Sequence, residues 1–376
     1  MDLPTLYRSY TFSGWIGIIC LFIWVAGCST GPDKSKSQCQ NGVQKPCIPI
    51  DEPHPKLTDY NLYQGAMKEL DPVEALIPYN LSTTLFSDYA QKFRMIYVPD
   101  GKSVAYDESE ILNFPVGSVL VKNFFYDLDR QDDSDKRRII ETRLLMYYER
   151  GWEAETYLWN DAQTSATLER TGDVKKVSWI DKEGIEQNIN YVIPTKNDCK
   201  TCHSYNDDLL PLGPKVRNMN KEYSYAKGKQ NQLQLLQQAG ILTGLPPAAD
   251  IPKAPDWDDP STGTVEERAR IYLDVNCSNC HREAGVAGYS GHFLTFEEEN
   301  PTQLGICKNP IASGGGSGGL DYDIVPCRPD KSILVFRMNA VDPDKRMPEI
   351  GRTVVHEEAV ALIREWVENM ECRSCE

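Results

Sequence analysis

Two five-residue motifs constrain this chain more than any other feature: Cys199-Lys-Thr-Cys202-His203 and Cys277-Ser-Asn-Cys280-His281. Two thiols three positions apart on one turn can each add to a vinyl group of the same porphyrin. The His that follows then lies under the ring, where its imidazole ligates iron. Competing readings fit less well. A structural zinc site pairs two Cys-x-x-Cys knuckles roughly 15–20 residues apart, and Cys202 and Cys277 are much further apart than that. A thioredoxin-like motif needs a βαβ context, which the flanking sequence does not offer. Chance would have to place two of only five His directly after the two interior Cys-x-x-Cys pairs. The motifs therefore predict two covalent haem c groups. Cys199, Cys202, Cys277 and Cys280 are the attachment points, and His203 and His281 are the iron ligands.

The remaining cysteines bear on the compartment. Trp15 to Gly27 is almost wholly apolar and ends in Val25-Ala26-Gly27-Cys28, followed by polar residues. The run has the length of a signal-peptide core and is short for a membrane span. Small residues before a Cys resemble a lipobox, which makes Cys28 the candidate lipid-attachment residue. An uncleaved anchor or an ordinary cleavage site are the alternatives, and each of these exports the body of the protein. Of twelve Cys, four belong to the motifs, Cys20 leaves with the leader and Cys28 takes lipid. Cys39, Cys47, Cys307, Cys327, Cys372 and Cys375 remain as disulfide candidates in an oxidising compartment. Pairing by neighbours gives 39–47, 307–327 and 372–375. Closing the Gly-rich loop between Cys307 and Cys327 would stabilise the fold by roughly 3 kcal/mol. A formal charge of -15 repels phosphate backbones, so nucleic acid is not an expected partner.

The pattern along the chain predicts an α+β multidomain protein, with an N-terminal antiparallel β-rich domain followed by a small all-α cytochrome c-like domain. Residues 1–27 form a lipoprotein leader and 28–56 a flexible tether. Residues 57–245 are the β-rich domain carrying the first motif. Its runs FPVGSVLVKNFFYDL, RRIIETRLLMYYER, WEAETYLWN and KKVSWI are rich in β-branched and aromatic residues. Gly151 and Asp181-Lys182-Glu183-Gly184 mark hairpin turns. Residues 246–261 are a Pro-rich linker, and 262–376 form the cytochrome c domain. There Thr264 and Glu267 make a capping-box pattern. Val360, Ile363, Trp366, Val367 and Met370 recur at helical spacing near the end.

A thioether is a soft ligand that favours ferrous iron and raises the potential. Met347, in the polar loop before the last helical run, is the candidate sixth ligand of the second haem, with Met338 as alternative. For the first haem, Met219 is a candidate. Met67, Met95, Met146, His54 and His292 are others, and an open position is the remaining option.

Several segments resemble a poorly characterised family of bacterial di-haem c-type cytochromes. They include IPYNLSTTLFSDYAQKFR (77–94), FPVGSVLVKNFFY (114–126), RRIIETRLLMYYERGWEAETYLWN (137–160), IPTKNDCKTCH (193–203), LGPKVRN (212–218), NCSNCH (276–281) and RMPEIGRTVVHEEAVALIREW (346–366). The resemblance implies two covalent haems and Met347 as the distal ligand of the second. The family pattern has Leu at the position of Met219, so it does not extend to that ligand. The resemblance also implies a gene neighbourhood with an exported parallel β-helix protein, a candidate partner beside redox proteins of the cell envelope. With the lipobox, it points to a lipid-anchored, periplasm-facing protein of the outer membrane. The expected function is single-electron transfer. The alternatives are a haem enzyme with one open site and a β-domain binding module with a cytochrome as electron outlet.

Overall fold

The runs of Val, Ile, Phe, Tyr and Trp between 77 and 169 pair into one antiparallel sheet in the computed structural model. The structure describes residues 45–375, except 109–110, 133–135, 207 and 312. In chain order the strands are β1 (Ile77–Tyr79), β2 (Gln91–Tyr97), β3 (Val104–Ala105), β4 (Val119–Asp127), β5 (Arg137–Tyr148), β6 (Gly151–Trp159) and β7 (Ala166–Glu169). All but β3 join the sheet, in the order β1-β2-β4-β5-β6-β7. β8 (Asp173–Ile180) and β9 (Glu186–Ile193) form a separate hairpin. It turns at Gly184, whose φ of +83° suits a residue without a Cβ.

Side chains alternate across a strand, so each sheet face has its own register. On one face Met95, Val121 and Leu144 stand opposite one another on β2, β4 and β5. They are fully buried against Leu57, Tyr60 and Leu62. The other face carries Ile96, Leu120 and Leu145 in one row and Arg94, Lys122 and Arg143 in the next. That second face positions the site.

Helices follow the sheet: α1 (Lys196–His203), α2 (Val216–Met219), α3 (Gln232–Gln238), α4 (Val265–Asn276), α5 (Ile333–Met338) and α6 (Glu357–Glu368). Capping boxes open α1 at Thr195/Asp198 and α4 at Thr264/Glu267. α6 buries Val360, Ile363, Trp366 and Val367 against α4 and α5.

The expectation of a β-rich domain followed by a small all-α cytochrome c-like domain is corrected. The described residues fall within one compact, mostly β-rich unit. The C-terminal part is short helices set in turns and irregular chain. The physical reason is a set of buried polar ties between the two parts. Asp274 on α4, 2% exposed, accepts from Lys215 and Arg217. The Phe86 N–H donates to Asn276 at 2.7 Å. Asp88 accepts from the N–H groups of Thr353 and Val354. Parting these groups would strand buried charge, which costs about 3–5 kcal/mol for a single broken pair.

Residues 246–261 run along this body, with the Ala254 N–H donating to the Arg217 carbonyl at 2.8 Å. The described end of the expected tether is also packed, since the Cys47 N–H donates to the Tyr60 carbonyl at 2.8 Å. The leader, Cys28 and Cys39 lie outside the described residues. Among those described, no helix is long and apolar enough to cross a membrane.

Two of the neighbour pairings of cysteines, 307–327 and 372–375, are corrected too. The structure joins Cys307 to Cys375 and Cys327 to Cys372, with Cα atoms 5.0 and 5.1 Å apart. The end of α6 comes to Cys327, whose N–H donates to the Val367 carbonyl at 2.9 Å. The tail beyond α6 therefore meets both flanks of the Gly-rich loop, and Cys372 and Cys375 bond outward instead of to each other. Cys47 is disulfide-bonded.

Candidate cofactor site

α1 carries the whole first motif on one short helix, stopped at His203. The second motif starts where α4 ends, with Cys277 as its C-cap. The N–H groups of Cys280 and His281 turn back to the Cys277 carbonyl at 3.1 and 3.0 Å. Two unlike local structures thus present the same five residues.

The motif chemistry is nevertheless repeated closely. His203 Nδ1 pairs with the Leu210 carbonyl at 2.7 Å, and His281 Nδ1 with the His292 carbonyl at 3.3 Å. Each chain folds back on its His, since the Leu210 and Leu294 N–H groups donate to the carbonyls of His203 and His281. A backbone acceptor at Nδ1 fixes the tautomer with the proton there and makes Nε2 the nitrogen that could ligate a metal. Burial lowers both imidazoles to about 4, so both are neutral at pH 7, as iron ligation requires.

The four motif thiols are the free cysteines among the described residues. Burial pushes Cys202 up to about 12, with Cys280 as the next cause. Cys277 rises to about 12 for the same two reasons. Burial also raises Cys199 and Cys280. A redox-active thiol needs the opposite shift, so a thioredoxin-like role does not suit this environment. No three His, Cys, Asp or Glu side chains converge as a tetrahedral metal site requires, among the described residues. Iron in a porphyrin needs no such convergence, because the cofactor brings the in-plane ligands and the motif brings one imidazole.

Both motifs open on the same cavity of about 540 Å³, between the second sheet face and the C-terminal part. Its size is within the usual range for cofactor sites. Leu120, Leu145, Leu334 and Val360 give it apolar walls. The two motifs also touch just beyond their His residues. The Asn206 N–H donates to the Ala284 carbonyl at 3.4 Å, and the Arg282 guanidinium lies 4.3 Å from the centre of the Tyr205 ring.

Met347 lines this cavity. Arg352, 4% exposed, holds the loop by donating to the carbonyls of Met347 and Arg337 at 2.8 and 3.0 Å. Met338 lines the same cavity from α5. Met219 does not. It is fully buried in an apolar cluster with Leu233, Leu236 and the wall residue Leu120, without lining the cavity itself. Met95 and Met146 are buried in the core of the opposite sheet face, and Met67 packs against it. His54 stacks edge-on against Tyr60. His292 does line the cavity, and its buried Nε2 has no partner.

The cavity wall holds residues that sequence reasoning missed: Arg94, Lys122, Arg143, His356 and Arg352. A signal existed for one of them, a lone charged residue, Lys122, in the mostly apolar run VLVKNFFY. The free thiols, the neutral imidazoles, the apolar wall and the orphaned polar atoms fit porphyrins bound at both motifs. The chain matches no family model, no curated protein and no solved structure.

Proposed function

We propose that this protein is an exported single-electron carrier with two c-type haems, attached at Cys199/Cys202 and Cys277/Cys280. The observation that carries the reading is the shared cavity: two Cys-x-x-Cys-His motifs open on it, with free thiols and Nδ1-anchored imidazoles. When bound, each haem would supply a reversible one-electron iron couple. The chain's own residues do the rest. The thiols would anchor the haems, each by adding its S–H across a vinyl double bond with nothing lost. His203 and His281 would each supply an imidazole to the iron. Met347, on the loop fastened by Arg352, is the proposed sixth ligand of the second haem. The apolar wall excludes water. The contact between Tyr205 and Arg282 holds the two motifs next to each other, which would favour electron exchange between groups bound there.

The resemblance to di-haem cytochromes, the apolar leader and the extra disulfides support a place in the cell envelope, facing the periplasm. The proposed anchor is lipid on Cys28. The proposed partners are envelope redox proteins, including an exported β-helix protein.

The test is a pyridine haemochrome assay with intact mass on protein matured in an exporting host. Two c-type haems per chain are expected. Colourless material at the bare polypeptide mass would overturn the reading.

A second reading, a haem enzyme with an open first iron, draws on one observation. Of Met67, Met95, Met146, Met219, His54 and His292, His292 alone lines the cavity, and its ring packs 5.4 Å from that of His281 in the second motif. A high-spin ferric signal that cyanide abolishes would favour the enzyme, and two low-spin haems would favour the carrier.

A further inference from the structure

Arg94, Lys122 and Arg143 face each other directly across β2, β4 and β5, and all three line the cavity beside the first motif. Like charges opposite one another in a sheet are destabilising, and here they also stand on an apolar wall. Only one of the three is neutralised. Arg143 makes a bidentate pair with Glu141, which is fully buried and also accepts from the Tyr191 hydroxyl. Arg94 is 3% exposed, donates weakly to Asn80 at 3.3 Å, and has a buried Nη2 with no partner. Lys122 makes no ion pair with any described residue, and its ammonium lies 4.8 Å from the centre of the Phe124 ring. Asp198, the nearby carboxylate on the wall, is committed to the α1 capping box. Burial first, then Arg94, Lys92 and Arg143, hold Lys122 well below the usual lysine range. A charge-assisted bond to an anion would relieve that.

We propose that the Arg94–Lys122–Arg143 row is an oxyanion site beside the first haem. The proposal rests on the haem reading above. The oxyanion has two sources of one chemistry: the porphyrin's own carboxylates, or a small free oxyanion drawn toward the iron.

The experiment uses the ferric holoprotein, with Arg94→Gln and Lys122→Gln as test variants and Arg94→Lys as the charge-keeping control. Sodium nitrite is titrated and followed at the Soret band. The propionate bending band is read by resonance Raman, and haem stoichiometry is measured on every sample. If the anion is free, nitrite shifts one haem saturably, and each Gln variant raises the half-saturating concentration roughly tenfold, the effect of one lost charge-assisted bond. If the anion is the porphyrin's, nitrite is silent, but each Gln variant moves the propionate band of one haem and leaves the other unchanged. Arg94→Lys stays close to wild type in both cases. Should one Gln variant fail to fold, the other carries the test. Two haems in every sample with no change in either readout overturns the oxyanion site and leaves the haem reading standing. Absence of haem from the wild type overturns both.

Discussion

The two motifs do the same local chemistry on opposite kinds of support. The first sits on a capped helix laid over a six-stranded sheet, whose strands are held by backbone pairing whatever occupies the cavity. The second sits in turns between α4 and α6, in a stretch with little regular structure, tied by two disulfides and a few buried polar bonds. The first faces cations across strands. Met347 lines the cavity on which both motifs open. On the proposed reading, the difference teaches that the five residues would specify attachment, while the surroundings would set how much the fold depends on the attached group and how its iron is tuned.

That contrast can be broken most directly at the thiols. Cys277→Ala/Cys280→Ala and Cys199→Ala/Cys202→Ala should each remove one haem by mass. The first pair should lower the thermal midpoint far more, because its region lacks a sheet to fall back on. Equal losses by circular dichroism would refute the contrast.

The disulfides sharpen it next. They span 68 and 45 residues, so Cys327→Ser/Cys372→Ser should cost about 4 kcal/mol by the chain-entropy account. Hydrogen exchange should localise the loss to the C-terminal part.

Asp274 tests how firmly the two parts are joined. Asp274→Asn should cost about 3 kcal/mol in denaturant unfolding, by leaving Lys215 and Arg217 without their buried carboxylate. A pH dependence accompanies this. Burial alone would raise the Asp274 carboxyl, but Lys215 and Arg217 outweigh it and hold the group below its usual value. A depressed folded value means that its stabilisation is complete above the unfolded carboxylate range, near about 4. It is lost as pH falls from there through the folded value. The Asn variant should lack that acid-side slope.

Met347→Ala should then lower the potential of one haem and leave the other unchanged in a spectroelectrochemical titration, since the proposed thioether ligand raises the potential. An unchanged pair of potentials would remove Met347 as a ligand. The smallest effect belongs to Thr264→Ala, which removes the α4 cap for about 1 kcal/mol and should change neither spectrum.

Much of the local structure was legible because it is set within one turn or one strand. The Thr264/Glu267 box, the apolar stripe of α6 and the strands around Phe124 and Tyr147 follow from spacing and residue type. Separate domains and neighbour disulfides were expected because both assume that sequence proximity governs contact. Asp274 with Lys215, Asp88 with Thr353, and Cys307 with Cys375 contradict that assumption. Met219 looked like a ligand because it follows His203 closely, yet α2 buries it against Leu233 and Leu236, off the cavity lining.

The sequence by itself determined the spacing of thiols and imidazole, since that geometry lies within five consecutive residues. Tertiary structure alone decided that both motifs share one cavity, that three cations from three strands line up on its wall, and that Met347 rather than Met219 lies there. Those facts depend on sheet register and on polar bonds between distant segments, and neither is encoded in the spacing of neighbouring residues.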